Sequence, residues 1–251
     1  MDITKRTVFI AGATSGIGLE LARRFAAAGS TVIIGGRRTE RLEQLATEGF
    51  AIVPIDVTDQ SSVDNARDTI LRDHPGLDVL IAMAGIGIPE DLRDPAHFST
   101  AQATIETNLL GTIRVIDAFT PHLIAGGRST IVTVSSGIGF LPFPLMASYG
   151  ASKAGIHAYT EALRAQLEGT GVEVTELVPP AVATDFGPGN PHALDLSEFT
   201  TEVIDLLTIN PTPREILVKG VHMHRWAERD GTYDELVAQR SKALSMLPGR
   251  Q

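Results

Sequence analysis

Tyr149 and Lys153 stand four residues apart in Tyr-Gly-Ala-Ser-Lys, so on a helix they share one face. A free phenol titrates near about 10, too high for efficient proton exchange at neutral pH. A neighbouring ammonium favours the phenolate and is expected to lower that value. The pair can then serve as acid in one direction and base in the other. Such pairs are common on helix surfaces, and a third group gives this one meaning. Ser136 closes Ile131-Val132-Thr133-Val134-Ser135-Ser136, thirteen residues before Tyr149. That separation lets a loop return the chain so that the two hydroxyls meet above the strand ends. A serine there can donate to an oxygen that gains negative charge during reaction; Ser135 is the neighbouring alternative. Asn108 lies mid-helix in Thr107-Asn108-Leu109-Leu110-Gly111, where its amide competes with the backbone.

A second set of residues could hold a nucleotide. Gly12-Ala13-Thr14-Ser15-Gly16-Ile17-Gly18 joins an apolar, β-branched run to a helix-length segment. Gly12 permits the reversal, Gly16 lets a diphosphate approach the backbone, and Gly18 lets helix pack on sheet. The helix start offers unbonded N–H groups and positive potential, to which Thr14 and Ser15 can add hydroxyls. The next apolar run ends in Gly35-Gly36-Arg37-Arg38. An acid there would accept from both adenosine ribose hydroxyls and repel a 2′-phosphate. Gly36 followed by two guanidiniums fits a clamp for that phosphate, although a solvated charge pair at a helix start has the same form. NADP(H) is the favoured cofactor over NAD(H).

These groups need a scaffold of alternating strands and helices. Short apolar runs at 7–11, 31–35, 51–55, 79–83, 130–135 and 172–178 read as strands buried on both faces. Amphipathic segments at 16–28, 39–48, 60–73, 100–123 and 148–169 read as helices between them. The alternation predicts an α/β fold, a Rossmann-like doubly wound parallel sheet with helices on both faces. Ligands in such sheets sit beyond the carboxyl ends of the strands, where these motifs fall. Residues 179–191 read as a loop, 197–207 as a helix, 215–219 as a strand, and 221–247 as polar and helical in period. One domain spans 1–251, with 1–120 mainly for the cofactor and 121–251 for catalysis and substrate loops.

With the spacing G-x-x-x-G-x-G and the Ser, Tyr-x-x-x-Lys set, residues 4–184 resemble the short-chain dehydrogenase/reductase family, in its branch of about this length. The resemblance implies hydride transfer between a nicotinamide and a carbonyl or alcohol carbon, with Tyr149 moving the proton. Family spacing favours Ser136 over Ser135. It implies that Asn108 bends its helix and holds a water linking Lys153 to solvent, and that Lys153 bonds the nicotinamide ribose. Asp56 would bond the adenine amino group beside the Val57 backbone; an acid leading the helix after Thr58 is the other reading. Ala84-Gly85 matches half of the family's Asn-Asn-Ala-Gly, with Ala82-Met83 in place of the amides. The usual Pro-Gly becomes Pro179-Pro180, so that turn must differ locally; Val182 and Thr184 match positions that anchor the carboxamide. Ser-Glu-Phe, Glu-Ile-Leu-Val and Arg-Trp-Ala segments in the last third resemble a subgroup encoded with cell-wall D-alanylation genes.

The 251 residues are 43% hydrophobic and 20% charged, with a net charge of −9. That suits one sizeable core and offers no basic field for nucleic acid or acidic lipid. There is no cysteine, so disulfides and zinc–thiolate sites are excluded and a cytoplasmic location is expected. Glycines interrupt the uncharged run 7–19 and Glu20 ends it, which argues against a secretory signal. No run reaches the ~18 apolar residues of a membrane helix. His222 and His224 are two apart and point away from each other on a helix; they read as surface histidines, and no metal is expected.

The substrate pocket is expected among 136–146, 182–199 and 89–98, lined by Ile138, Phe143, Met146 and Phe186. Arg93 is the lone cation in these loops, so a neutral or apolar carbonyl compound is expected. Residues 108–123 and 154–167 are apolar enough to join copies into the family's usual dimer or tetramer. Two other classes compete: a nucleotide-sensing scaffold, which typically lacks the tyrosine or lysine, and a sugar-nucleotide epimerase, which usually has a longer chain and another glycine spacing.

Overall fold

Alternation within the strands sets the architecture. In β1 (Thr7–Ala11), Val8 and Ile10 face one core while Phe9 and Ala11 face the other, as period-2 side chains must. The computed structural model describes residues 1–186 and 190–249. Its elements run β1, α1 (Gly16–Ala27), β2 (Thr31–Gly36), α2 (Thr39–Ala46), β3 (Ala51–Pro54), α3 (Gln60–Asp73) and β4 (Val79–Ala82). They continue α4 (His97–Ile105), α5 (Gly111–Gly126), β5 (Ser129–Val134), α6 (Ala147–Gln166), β6 (Val172–Leu177), α7 (Leu196–Leu207) and β7 (Glu215–Ile216). Two short helices, α8 (His222–Arg225) and α9 (Tyr233–Ser241), end the described chain with a 3₁₀ turn.

The strands pair in parallel in the order β3-β2-β1-β4-β5-β6-β7. The order reverses direction between β1 and β4, the switch point at which doubly wound sheets bind ligands. On one face Leu19 and Phe25 of α1, Leu42 of α2 and Phe199 of α7 fill the core. On the other, Ile70 of α3, Phe119 of α5 and Leu163 of α6 do so. Each fully buried apolar side chain of this size contributes about 1.5–3 kcal/mol. No described helix is long and apolar enough to cross a membrane.

The structure departs from the sequence reading in three places. The helix expected over 100–123 is broken: α4 and α5 are joined by a π-helical turn, Glu106–Leu110, that carries Asn108. Hydropathy period cannot show one extra residue in a turn, and Asn108 supplies the competing bonds described below. The tail read as helical over 221–247 is broken into α8, α9 and 3₁₀ turns, and β7 is only two residues long.

Gly12 shows why the first turn needs its glycine. It has φ +100°, and a Cβ there would lie 2.7 Å from the backbone of Ala84. The backbones after β1 and β4 therefore touch, which also explains a small residue at 84.

Candidate active site

Three places in the fold deliver the catalytic candidates: the π turn between α4 and α5 carries Asn108, the end of β5 leads into Ser136, and α6 carries Tyr149 and Lys153. Ser136 follows β5 and starts a 3₁₀ turn, its Oγ accepting from the Ile138 amide at 3.3 Å. Oγ also lies 3.4 Å from the Pro179 carbonyl, to which it donates. The Gly137 amide donates to the same carbonyl at 2.9 Å, so the loops after β5 and β6 are tied together. Tyr149 and Lys153 lie in the first two turns of α6. The Ser136 hydroxyl stands near enough to the Tyr149 phenol to favour its ionised form, so the two side chains are neighbours above the strand ends.

Lys153 is buried; its Nζ donates to the Val134 carbonyl at 2.8 Å and lies 5.6 Å from the Tyr149 ring centre. Burial lowers the lysine to about 8, against a raising influence from the Glu176 carboxylate. The expectation that the ammonium lowers the phenol is not met in this structure. Burial pushes Tyr149 up to about 12, and the neighbouring Ser136 hydroxyl opposes it only in part. The ammonium is committed to a backbone carbonyl on β5, and desolvation of the phenolate outweighs it.

Asn108 is fully buried in its π turn. Its Oδ1 accepts from the Ile86 amide at 2.8 Å, and its Nδ2 donates to the Ile86 carbonyl at 2.9 Å and to Ser152 Oγ at 3.2 Å. One amide thus ties the chain after β4 to α6. A Cβ placed on Gly85 would stand 3.3 Å from Asn108 Oδ1 and 3.9 Å from Lys153 Nζ. Asn108, Lys153 and Gly85 are neighbours.

At the glycine turn, Arg38 donates to Thr14 Oγ1 at 2.7 Å and to Ser15 Oγ at 3.0 Å. Arg41 donates to the Thr14 carbonyl at 3.4 Å; the sequence reading did not include it, though its place one turn into α2 could have. Arg37, Arg38 and Arg41 line a depression of about 350 Å³ beside the turn. Ser15 leads α1 without a side-chain cap bond, so the first amides keep no side-chain partner. Ile17 and Gly18 follow inside α1. Asp56 accepts from the Thr58 amide at 3.0 Å and its hydroxyl at 2.7 Å, and these bonds, the amide first, hold its carboxyl below the usual range. The Val57 carbonyl accepts from Arg114. Val182 bridges Leu194, and Thr184 stands 3.4 Å from a Cβ placed on Gly16, so this loop reaches the phosphate turn.

Around Tyr149, the Phe186 ring centre is 5.5 Å from the phenol ring centre. Phe186 and Met146 both close over Gly87, where a Cβ would meet them at 2.4 and 2.7 Å; sequence reading did not single out Gly87. Ile138 packs under Gly150. Phe143 serves the following 3₁₀ turn, its carbonyl accepting from the Met146 amide at 2.8 Å. Residues 187–189 of the expected pocket loop lie outside the described residues. Arg93 is paired bidentately with Asp91.

His224 corrects another expectation. His222 is exposed, but His224 is half-buried: it packs against Gly137, and burial with the nearby Arg240 charge lowers it to about 4. Arg240 itself donates to the Leu141 carbonyl at 2.6 Å. The C-terminal segment therefore buttresses the loop after Ser136.

The family model described as short chain dehydrogenase matches residues 6–193. The chain belongs to the short-chain dehydrogenase family. It is 40% identical over 185 residues to a sulfoacetaldehyde reductase of Chromohalobacter salexigens, covering 71% of this chain and 73% of that one. It is 36% identical over 187 residues to the uncharacterized oxidoreductase DltE of Bacillus subtilis, covering 73% and 74%. Among solved structures, an alcohol dehydrogenase from the archaeon Thermococcus sibiricus, complexed with 5-hydroxy-NADP, is 29% identical. Its TM-score is 0.76, with 86% of this chain and 97% of that chain covered. A short-chain dehydrogenase of Burkholderia cenocepacia in complex with NADP shares the fold at TM-score 0.83 and 24% identity, over 94% and 99% of the two chains.

Proposed function

We propose that this short-chain dehydrogenase is an NADP(H)-dependent reductase of a ketone or aldehyde, with Tyr149 as the proton donor. The observation that carries the reading is the half-buried Tyr149 phenol beside the buried Ser136 hydroxyl, with Lys153 Nζ 5.6 Å from the phenol ring centre. A bound nicotinamide supplies the hydride in reduction and accepts it in oxidation. The residues fit such a group: the turn from Gly12 to Gly18 and the amides leading α1 suit a diphosphate. Arg37 and Arg38 suit a 2′-phosphate, with Ala84, Gly85, Asp56 and Val57 along the adenosine and Pro179, Val182 and Thr184 by the carboxamide.

Ser136 donates to the carbonyl oxygen and stabilises the charge that gathers there. Tyr149 gives its proton to the same oxygen. Lys153 then steadies the tyrosinate until it is reprotonated from solvent, with Asn108 holding the wall of that path. Tyr149 at about 12 is a phenol at neutral pH, the form reduction needs. Ile138, Met146 and Phe186 present apolar surface to the pocket, which favours a neutral carbonyl compound. The reading also includes a homo-oligomer built on α5 and α6 and a cytoplasmic location.

A panel of ketones and aldehydes with NADPH tests this. Loss of NADPH absorbance with neutral aldehydes or ketones is the expected outcome, and sulfoacetaldehyde belongs in the panel as a charged contrast. Tight NADPH binding with no turnover on any member would favour a nucleotide-sensing scaffold instead.

A further inference from the structure

Lys153 poses a question of charge balance. Its ammonium is buried, and its one bond in this structure goes to a neutral acceptor, the Val134 carbonyl. A buried cation without a counter-charge is costly and tends to shed its proton. The balancing anion must lie on the same side of the sheet, between α6 and the strands beneath it.

Carboxylates on that side are Glu176 on β6, Glu215 on β7 and Glu161 on α6. Glu176 and Glu215 are register partners across β6 and β7. Glu215 is held by both arms of Arg225 at 2.9 Å. Glu161 bonds Arg164 and Arg214. Permanent guanidiniums therefore neutralise these two. Glu176 differs: it is fully buried and has no guanidinium partner among the described residues. His157 Nδ1 bonds its Oε2 at 2.8 Å, and its Oε1 is buried with no partner. His157 follows Lys153 by four residues, so the two share a face of α6. Thr133, the β5 register partner of Glu176, bonds Thr160 of that same helix at 2.8 Å. This carboxylate, paired only with the titratable imidazole of His157, which the contact holds above the usual histidine value, thus sits under the helix that carries the lysine.

These four ion-pairing groups also bring one donor atom each within 4.8 Å of one another. Arg164, Arg214 and Arg225 already balance the outer two carboxylates, so the cluster is an ion network beneath α6. Phe140, just past Ser136, packs its ring 4.7 Å from His157 and 4.5 Å from the Arg225 guanidinium. The network is thereby locked to the catalytic loop.

We propose that Glu176, braced by His157, is the buried counter-charge that keeps Lys153 protonated, and so a positioning residue for the proton-transfer pair. The role in catalysis rests on the reading of Tyr149 and Lys153 given above; the electrostatic pairing does not. The other charges facing the pair are those named: Glu161, Glu215, Arg164, Arg214 and Arg225. With Glu176 neutral, the burial that already brings Lys153 to about 8 acts unopposed. The lysine then loses its proton at lower pH.

The chain has four lysines, so selectively labelled lysine NMR can follow each through a pH titration without any substrate. Glu176→Gln is expected to lower the Lys153 pKa by about one unit or more, leaving Lys5, Lys219 and Lys242 unmoved. Glu176→Asp, which keeps the charge, should hold Lys153 near its wild-type value. His157→Gln, which keeps the carboxylate but removes the imidazole, should leave Lys153 at or above it, and this arm serves if the first variant fails to fold. An unmoved Lys153 in folded Glu176→Gln overturns the proposal, and so does a fall in His157→Gln, which would mark loosened packing. With an active carbonyl substrate, the alkaline limb of kcat should shift to lower pH in Glu176→Gln by the same amount. Should no carbonyl be turned over, the titration still decides the pairing, so failure of the reductase reading is distinguishable from failure of this one.

Discussion

Tyr149→Phe is expected to lower kcat for carbonyl reduction by about 10²–10⁴-fold, with NADPH affinity unchanged. The substitution removes one oxygen from a half-buried ring that contacts Phe186 beside Ser136, and leaves the ring's packing in place. What is lost is the phenol proposed to protonate the substrate oxygen. Pre-steady-state mixing of enzyme, NADPH and carbonyl compound separates the effects. A slow chemical step with normal cofactor binding supports the role, whereas an equal loss in binding and turnover would assign Tyr149 to cofactor docking. The pH dependence follows from the same groups. A phenol near 12 stays protonated through neutrality, so reduction should be flat until Lys153 loses its proton near 8. Alcohol oxidation needs the tyrosinate and should instead rise with pH.

The second large effect concerns the cofactor. Arg37→Asp combined with Arg38→Ala should weaken NADPH by about 10–100-fold, the worth of one or two charge-assisted hydrogen bonds. NADH should be affected far less, because it carries no 2′-phosphate for the two guanidiniums to hold. Arg38 also bonds Thr14 and Ser15, so removing it loosens the glycine turn for either cofactor. The ratio of the two affinities, measured by fluorescence titration, cancels that shared loss. Equal weakening of NADPH and NADH would refute the phosphate clamp and return Arg37 and Arg38 to a solvated helix start.

The sheet was readable because parallel strands buried on both faces leave unbroken apolar runs, and six of the seven were placed within a residue or two at each end. β7 was the exception in length, since two residues of pairing carry little pattern. Tyr149, Lys153, Ser136 and Asn108 were readable because their spacing and their strand and helix contexts agree. Two features were not. The π turn at Asn108 is a one-residue insertion in a hydrogen-bond ladder, invisible to hydropathy, and it is set by the amide's bonds to Ile86 and Ser152. The surroundings of the lysine were equally hidden: His157, Glu176, Glu215 and Arg225 come from α6, β6, β7 and α8 and meet only through the fold. His224 was misplaced for a related reason. A helical period assigned to a polar tail gives no hint that Gly137 leaves room for an imbedded ring.

A crystal structure of the enzyme with NADP⁺ and an unreactive analogue of its carbonyl substrate puts the whole arrangement to the test. The analogue's oxygen should lie within about 3.2 Å of both the Tyr149 and Ser136 hydroxyls, with Lys153 turned from the Val134 carbonyl towards the nicotinamide ribose. An oxygen held by other groups, with Tyr149 and Ser136 facing away from it, would contradict the proposed chemistry.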